Sequence, residues 1–276
     1  MALIAFAANS VLCRLALDVY ATDPASFSLL RLFSGAVALI LIVGVSNRSL
    51  RSLVRNSTWR ASISLAVYVL GFSFAYITLD AGIGALVLFS AVQLTMMAVA
   101  LYEGERPQII EWLGWLFALS GIIVLVAPGV SAPSPIGLVL MVVAGVAWAG
   151  YTLLGRGVTQ PLLSTASNFV FATVIVLLPC LFLLNLDRLP WQGVALALLS
   201  GAIASGAGYA IWYAVLPHIS TVHAALLQLS VPVLAALGGV LFINEPISTR
   251  FIISCVLVLS GIAFAIGYKK KIKNLR

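Results

Sequence analysis

Leu119-Ser120-Gly121-Ile122 returns as Leu259-Ser260-Gly261-Ile262, at an offset of 140 residues. The same offset sets Ser90 on Ser230, Leu94 on Leu234 and Glu105 on Glu245. The chain therefore reads as one unit duplicated, with repeat one over 1–133 and repeat two over 134–276. A duplication in a hydrophobic chain is how many membrane carriers frame one central site between two halves.

Of the 276 residues, 62% are hydrophobic and 8% charged, with a mean hydropathy of +1.15. An average soluble domain is charged at about a quarter of its positions. So few charges cannot clothe a soluble globule of this size, so lipid must cover the rest. A bilayer span takes roughly 20 mostly apolar residues. Such stretches fall at about 2–18, 26–45, 61–79, 82–102, 110–127, 135–154, 165–185, 192–214, 221–243 and 250–268. The expected fold class is thus an all-α polytopic membrane protein with ten transmembrane helices, one membrane domain in total, with very short connections. Barrel strands alternate apolar and polar residues, whereas 174–178 is apolar throughout and 252–259 at every position but Ser254. The first segment lacks a basic leader and carries Asn9, Ser10 and Arg14. It reads as a retained span, slightly shortened at its start, rather than a signal peptide. Cys13, Cys180 and Cys255 all lie inside spans and read as small buried hydrophobes.

The formal charge of +7 is unevenly placed. Arg48, Arg51, Arg55 and Arg60 gather at the second loop, and Lys269, Lys270, Lys271, Lys273 and Arg276 form the tail. Opposite loops carry Asp18, Asp23, Asp80, Asp187 and Glu245, with Arg188 and Arg250 near by. Basic loops stay cytoplasmic, so both termini are expected inside, with the tail meeting anionic headgroups. This charge is a topology signal and gives no reason to expect nucleic acid. Each repeat holds five spans. Five is odd, so the second repeat enters the membrane from the opposite side, and the halves must be inverted around a pathway near the bilayer midplane.

Each half carries a small-residue helix ending in arginine: Ala8-Asn9-Ser10-Val11-Leu12-Cys13-Arg14, and the run from Ala147-Trp148-Ala149-Gly150-Tyr151 to Gly155-Arg156. Each has a fourth helix running into glutamate, at Tyr102-Glu103-Gly104-Glu105-Arg106-Pro107 and Phe242-Ile243-Asn244-Glu245-Pro246. Each closes on a fifth helix with the Leu-Ser-Gly-Ile element. Over essentially the whole chain this pattern resembles the EamA-type branch of the drug/metabolite transporter superfamily. The resemblance implies a five-plus-five inverted repeat, a central cavity and alternating access. It also implies that helices one to four and six to nine surround the cavity, with the fifth and tenth outside. Bacterial members often export amino acids, and exporters that include aromatic amino acids look nearest in length and in their aromatic cavity helices. The implied setting is the bacterial inner membrane. Sugar-phosphate members use basic pocket residues, and no lysine lies in a span here before the tail.

Polar residues inside a membrane are costly and tend to line cavities. They gather on segments three (Tyr68, Ser73, Tyr76), four (Ser90, Gln93, Thr95), eight (Ser205, Tyr209, Trp212, Tyr213) and nine (His223, Gln228, Ser230). Segments one, six and seven add Asn9, Trp148, Tyr151 and Asn168, while five and ten are nearly bare. The candidate substrate-binding set is Asn9, Tyr76, Ser90, Gln93, Trp148, Tyr151, Tyr209, Tyr213, His223, Gln228 and Ser230. An amide both donates and accepts, which suits a zwitterion, and aromatic rings offer walls and cation–π faces. The same groups could instead bond neighbouring helices. Pro232 reads as an interruption of segment nine that frees a carbonyl, and Gly206 and Gly208 as breaks in segment eight. Arg14, Arg31, Asp80 and Arg156 form the candidate gate set, against the plain reading of arginines snorkelling to the interface. Glu105 and Glu245 read first as caps near helix ends and second as proton carriers. His223 is the titrating group of the physiological range inside a span, so proton coupling or none stays open.

No catalytic residue, metal site or cofactor is expected. The chain has no Walker loop, no His-Glu-x-x-His and no cysteine–histidine cluster, and Gly206-Ala207-Gly208 lacks the preceding strand of a dinucleotide site. Expected partners are a small-molecule substrate, an amino acid first, and the lipid bilayer. The rival readings are another metabolite class, such as a nucleoside or a drug-like cation, and a passive channel or facilitator. A channel calls for a continuous polar stripe, whereas these polar groups are scattered among aromatics.

Overall fold

The computed structural model describes residues 1–45, 58–104, 108–127, 132–156, 158–183, 189–215, 218 and 227–273. Among these the chain is all helical, with no strand. The elements are α1 (Ala2–Arg14), α2 (Pro24–Val45), α3 (Trp59–Ala75), α4 (Ala81–Tyr102), α5 (Ile109–Val126), α6 (Pro135–Leu154) and α7 (Pro161–Leu183). They continue as α8 (Trp191–Leu199), α9 (Gly208–Val215), α10 (Val231–Ile243) and α11 (Thr249–Lys273). A π-helical stretch, Leu15–Val19, extends α1, and another, Ser200–Ala207, joins α8 to α9 in one rod. Six of these rods are long and apolar enough to cross a bilayer, and four shorter apolar helices accompany them.

Helix ends follow the polar punctuation. Asp23 Oδ2 accepts the Ser26 amide at 2.7 Å and opens α2. Thr58 Oγ1 accepts the Ala61 amide at 3.3 Å at the start of α3, and Ser134 does the same for Gly137 in α6. Each such cap satisfies an amide that the helix itself cannot. The segment expected over 61–79 ends at Ala75, because Tyr76–Leu79 turn before the extended Asp80. Segment nine is broken just before Pro232: Leu227 and Gln228 are helical, Leu229 and Ser230 turn, and α10 starts at Val231. Pro232 occupies the first turn of α10, where a missing N–H costs nothing.

Lipid is as apolar as leucine, so helices in a bilayer associate through close packing at small residues. The repeated motif shows why it carries glycine. A Cβ added to Gly121 would lie 2.9 Å from the Ser254 carbonyl, and one added to Gly261 would lie 2.5 Å from the Gly114 carbonyl. The backbones of α5 and α11 therefore touch. The other face of α5 exposes Trp112, Leu113, Leu116 and Phe117, the pattern of a lipid-facing helix. The buried centre lies elsewhere, where α2 packs on α7 and α8, α3 on α6, and α4 on α6 and α10. Phe27, Leu32, Leu65, Phe72, Met141 and Phe169 are fully buried there.

Candidate functional site

Two polar centres emerge, one at a helix end and one inside. At the end of α1, Arg14 Nε donates to Glu245 Oε1 at 3.0 Å. Its Nη1 donates to the carbonyls of Tyr76 and Ile77 at 3.0 and 3.1 Å. Its Nη2 lies 3.3 Å from Asp18 and 3.7 Å from Asp80. One guanidinium thus meets three carboxylates. Local sequence sets this up. Asn244 ends α10 in the left-handed conformation, φ 61°, which asparagine tolerates. The Glu245 amide then donates back to the Gly239 carbonyl at 3.1 Å. Gly239 has no Cβ, and one would collide with Glu245 Oε2. That oxygen instead accepts the Ala81 amide at 2.9 Å. Glu245 therefore caps α4 from a distant segment, while Asp80, the residue before that helix, turns toward Arg14.

Burial pushes the Asp80 carboxyl above the ordinary carboxylate range; the Arg14 charge pulls it down and Asp18 adds to the rise. Burial also raises Glu245, opposed first by the Ala81 amide. Three acids around one cation leave an excess of negative charge that favours a retained proton.

A second long-range pair is looser. Arg156, after α6, lies 3.8 Å from Glu103, after α4, and both side chains are more than half exposed. The Arg14 pair joins an N-terminal arginine to a C-terminal glutamate, and the Arg156 pair does the reverse.

Inside the bundle, aromatic rings form one connected cluster. Trp148 lies 4.8 Å from Tyr68, 5.4 Å from Tyr151 and 5.6 Å from Tyr209 between ring centroids. Tyr209 continues to Phe6 at 5.7 Å and Phe169 at 6.0 Å, and Tyr68 continues to Phe72 at 5.4 Å. Five helices contribute these rings: α1, α3, α6, α7 and α9. Arg31 of α2 is 2% exposed and lies against them, with its guanidinium carbon 4.8 Å from the Phe72 ring and 5.4 Å from that of Tyr68. Its Nη2 donates to the Tyr68 hydroxyl at 3.1 Å.

The expected site residues divide accordingly. Trp148, Tyr151 and Tyr209 meet in the aromatic cluster. Asn9 accepts from Ser200 Oγ at 2.8 Å and Ser205 Oγ at 3.3 Å, tying α1 to the π stretch. Tyr76 is fully buried and its hydroxyl donates to the Ala81 carbonyl at 3.2 Å, so it belongs to the Arg14 end. The Ser90 and Ser230 hydroxyls donate to carbonyls of their own helical turns, Leu86 and Leu227, each at 2.7 Å. Gln93 and Gln228 are half-buried. Of the gate set, Arg14 and Asp80 share one cluster, Arg156 sits in the loose pair, and Arg31 meets no acid among the described residues. His223, Glu105, Arg48, Arg51, Arg55, Asp187, Arg188 and Arg276, with the side chains of Tyr213 and of the lysine tail, lie outside the described residues. Phe6, Phe72 and Phe169 carry no polar signal, and only their aromatic type marks them beforehand.

Comparison with known proteins gives a consistent family. The profile of the EamA-like transporter family matches residues 135–267. An uncharacterized protein of Pseudomonas aeruginosa is 47% identical over 267 residues, covering 97% of this chain and 92% of its own length. An uncharacterized transporter of Bacillus subtilis is 28% identical over 270 residues, covering 94% and 90%. A protein of Escherichia coli named as a probable amino-acid metabolite efflux pump is 22% identical over 232 residues, covering 77% of each chain. A solved crystal structure aligns with a TM-score of 0.68 at 20% identity, over 97% of this chain and 98% of that one, and so shares the fold.

Proposed function

This chain belongs to the EamA-like transporter family, whose members are transporters rather than enzymes, and on that premise we propose that it exports amino acids, aromatic ones included, by alternating access. It is a multi-pass membrane protein, and in this reading its ten spans form two inverted five-helix repeats, 1–133 and 134–276, in the bacterial inner membrane. Both termini face the cytoplasm.

The observation that carries the reading is the aromatic cluster of Tyr68, Trp148, Tyr151 and Tyr209, contributed by helices of both halves. Flat rings at 4.8–5.6 Å supply an apolar, polarizable wall for a ring-bearing metabolite. The name of the Escherichia coli relative points to the same substrate class. Gln93, Gln228 and Asn9 then supply amide contacts along the path.

The two reciprocal ion pairs supply the gating part of the reading. Tight at 3.0 Å around Arg14 and loose at 3.8 Å around Arg156, they differ as a closed and an open end would differ. With the termini cytoplasmic, the closed end is the outer one. Rocking of one half against the other exchanges the two.

Counterflow in proteoliposomes tests the function. Vesicles loaded with phenylalanine or tryptophan are expected to accumulate the labelled amino acid, with saturation. Flux of nucleosides or organic cations without amino acids would replace the substrate class, and non-saturating flux would replace the carrier with a channel. Reporter fusions at the C-terminus test orientation, and an external tag would overturn it.

A further inference from the structure

Arg31 is a buried cation that no acid balances among the described residues. Among the described residues it forms no ion pair, whereas Arg14 is within reach of three carboxylates. Of its three guanidinium nitrogens, only Nη2 is bonded, to the Tyr68 hydroxyl. Nε and Nη1 are buried without an acceptor among the described residues. Leaving a buried cation partly unsatisfied is strongly unfavourable unless another group completes it.

Its position is fixed rather than loose. The Ser34 hydroxyl donates to the Arg31 carbonyl at 3.3 Å. Gly201, in the π stretch between α8 and α9, packs so closely that an added Cβ would overlap both the Arg31 carbonyl and Ser34 Oγ. π-helical stretches of this kind occur often at functional sites. The guanidinium plane meets Phe72 and Tyr68, and Tyr68 contacts Trp148. The donors of one arginine therefore border an aromatic wall.

We propose that Arg31 anchors the carboxylate of a substrate whose flat apolar body lies on the Tyr68–Trp148–Tyr209 cluster. Planar guanidinium donors match a carboxylate, and charge-assisted bonds of this kind are strong in a dry interior. A single cation balances a monoanion; a phosphate dianion would call for a second positive group, and the rings around Arg31 carry none. The proposal rests on the central cluster being the substrate site, and it assigns Arg31 to recognition of substrate rather than to a gate.

The test uses the purified full chain in nanodiscs and four probes of one shape: phenylalanine, 3-phenylpropanoate, phenylalaninamide and phenethylamine. Binding is read by calorimetry and thermal shift. Both carboxylates are expected to bind at least about tenfold tighter than the amide and the amine. Arg31→Gln abolishes that preference, and Arg31→Lys keeps part of it. If Arg31→Gln does not fold, the wild-type ranking and Tyr68→Phe, which keeps the cation and removes its one bond, still decide. Equal binding of phenylalanine and its amide overturns the anchor and leaves amino-acid transport standing, as does an unchanged preference in Arg31→Gln; Arg31 is then a cation–π brace only. Binding of 3-phenylpropanoate without phenylalanine upholds the anchor and overturns the amino-acid reading. Binding of neither carboxylate overturns both.

Discussion

Arg14 and Glu245, at opposite ends of the sequence, meet at 3.0 Å, and the second oxygen of the same carboxylate holds the Ala81 amide at 2.9 Å. One side chain thus closes an ion pair and caps a helix. Glu245→Ala removes both the shortest carboxylate contact of Arg14 and the Ala81 cap, while Asp18 and Asp80 still face the cation, an expected loss of about 2 kcal/mol. Glu245→Gln keeps an oxygen for Ala81 and loses less. Melting in detergent checks the order: alanine lowest, glutamine between, wild type highest. An equal drop in both would mean that the cap contributes nothing.

The acids of that cluster also predict a pH response. Burial raises both Asp80 and Glu245 above the usual carboxylate range. A carboxyl raised in the folded state binds its proton more readily there than in the unfolded chain. Stability is therefore expected to rise as pH falls from neutral toward the ordinary carboxylate range, and to stop rising below it. Asp80→Asn combined with Glu245→Gln flattens this slope. A slope of the opposite sign in the wild type would show that attraction to Arg14 outweighs desolvation.

Glycine positions give a paired test. A Cβ at Gly201 collides with the Arg31 carbonyl, whereas one at Gly150 meets only Ser64 Oγ at 3.6 Å. Gly201→Ala is expected to destabilise by about 2 kcal/mol or more, as overpacking does. Gly150→Ala stays neutral or gains up to about 1 kcal/mol from helix propensity. The two melting temperatures, measured side by side, check this.

Trp148 joins three rings of the cluster, so Trp148→Phe keeps the hydrophobic fill and thins the wall. Apparent affinity for aromatic substrates is expected to fall about tenfold, since each ring contact contributes about 0.5–1.5 kcal/mol. Gln93→Ala and Gln228→Ala are expected to lower transport while melting shifts by less than about 0.5 kcal/mol-equivalent. Normal uptake in both amide variants would remove them from the path.

Hydropathy made the helices legible and left their joints obscure. The stretch expected at 82–102 appears as Ala81–Tyr102, and 135–154 as Pro135–Leu154. The rod expected at 192–214 hides its π stretch, because changing from i→i+4 to i→i+5 bonding alters no residue's hydropathy. Asn9 supplies the missing reason, binding Ser200 and Ser205 from another helix. Arg14 and Asp80 stand in one candidate gate set on sequence alone, and the structure brings them together. Glu245 as their third partner depends on the left-handed turn at Asn244, a tertiary fact. In sequence Arg31 and Arg14 stand alike, each an arginine within an apolar segment. Only packing separates them, since Asp23 is engaged by Ser26 while Arg31 turns inward to Tyr68.

The two arginine–glutamate pairs also bear on how the chain can be divided. Each takes one member from before residue 133 and one from after it. Each portion alone loses one of these contacts, and α5 alone would expose to lipid a glycine-lined groove shaped for α11. Expressed separately, each portion should be degraded; expressed together, they should find each other and restore activity without a covalent link. That outcome would make the polypeptide a tethered heterodimer.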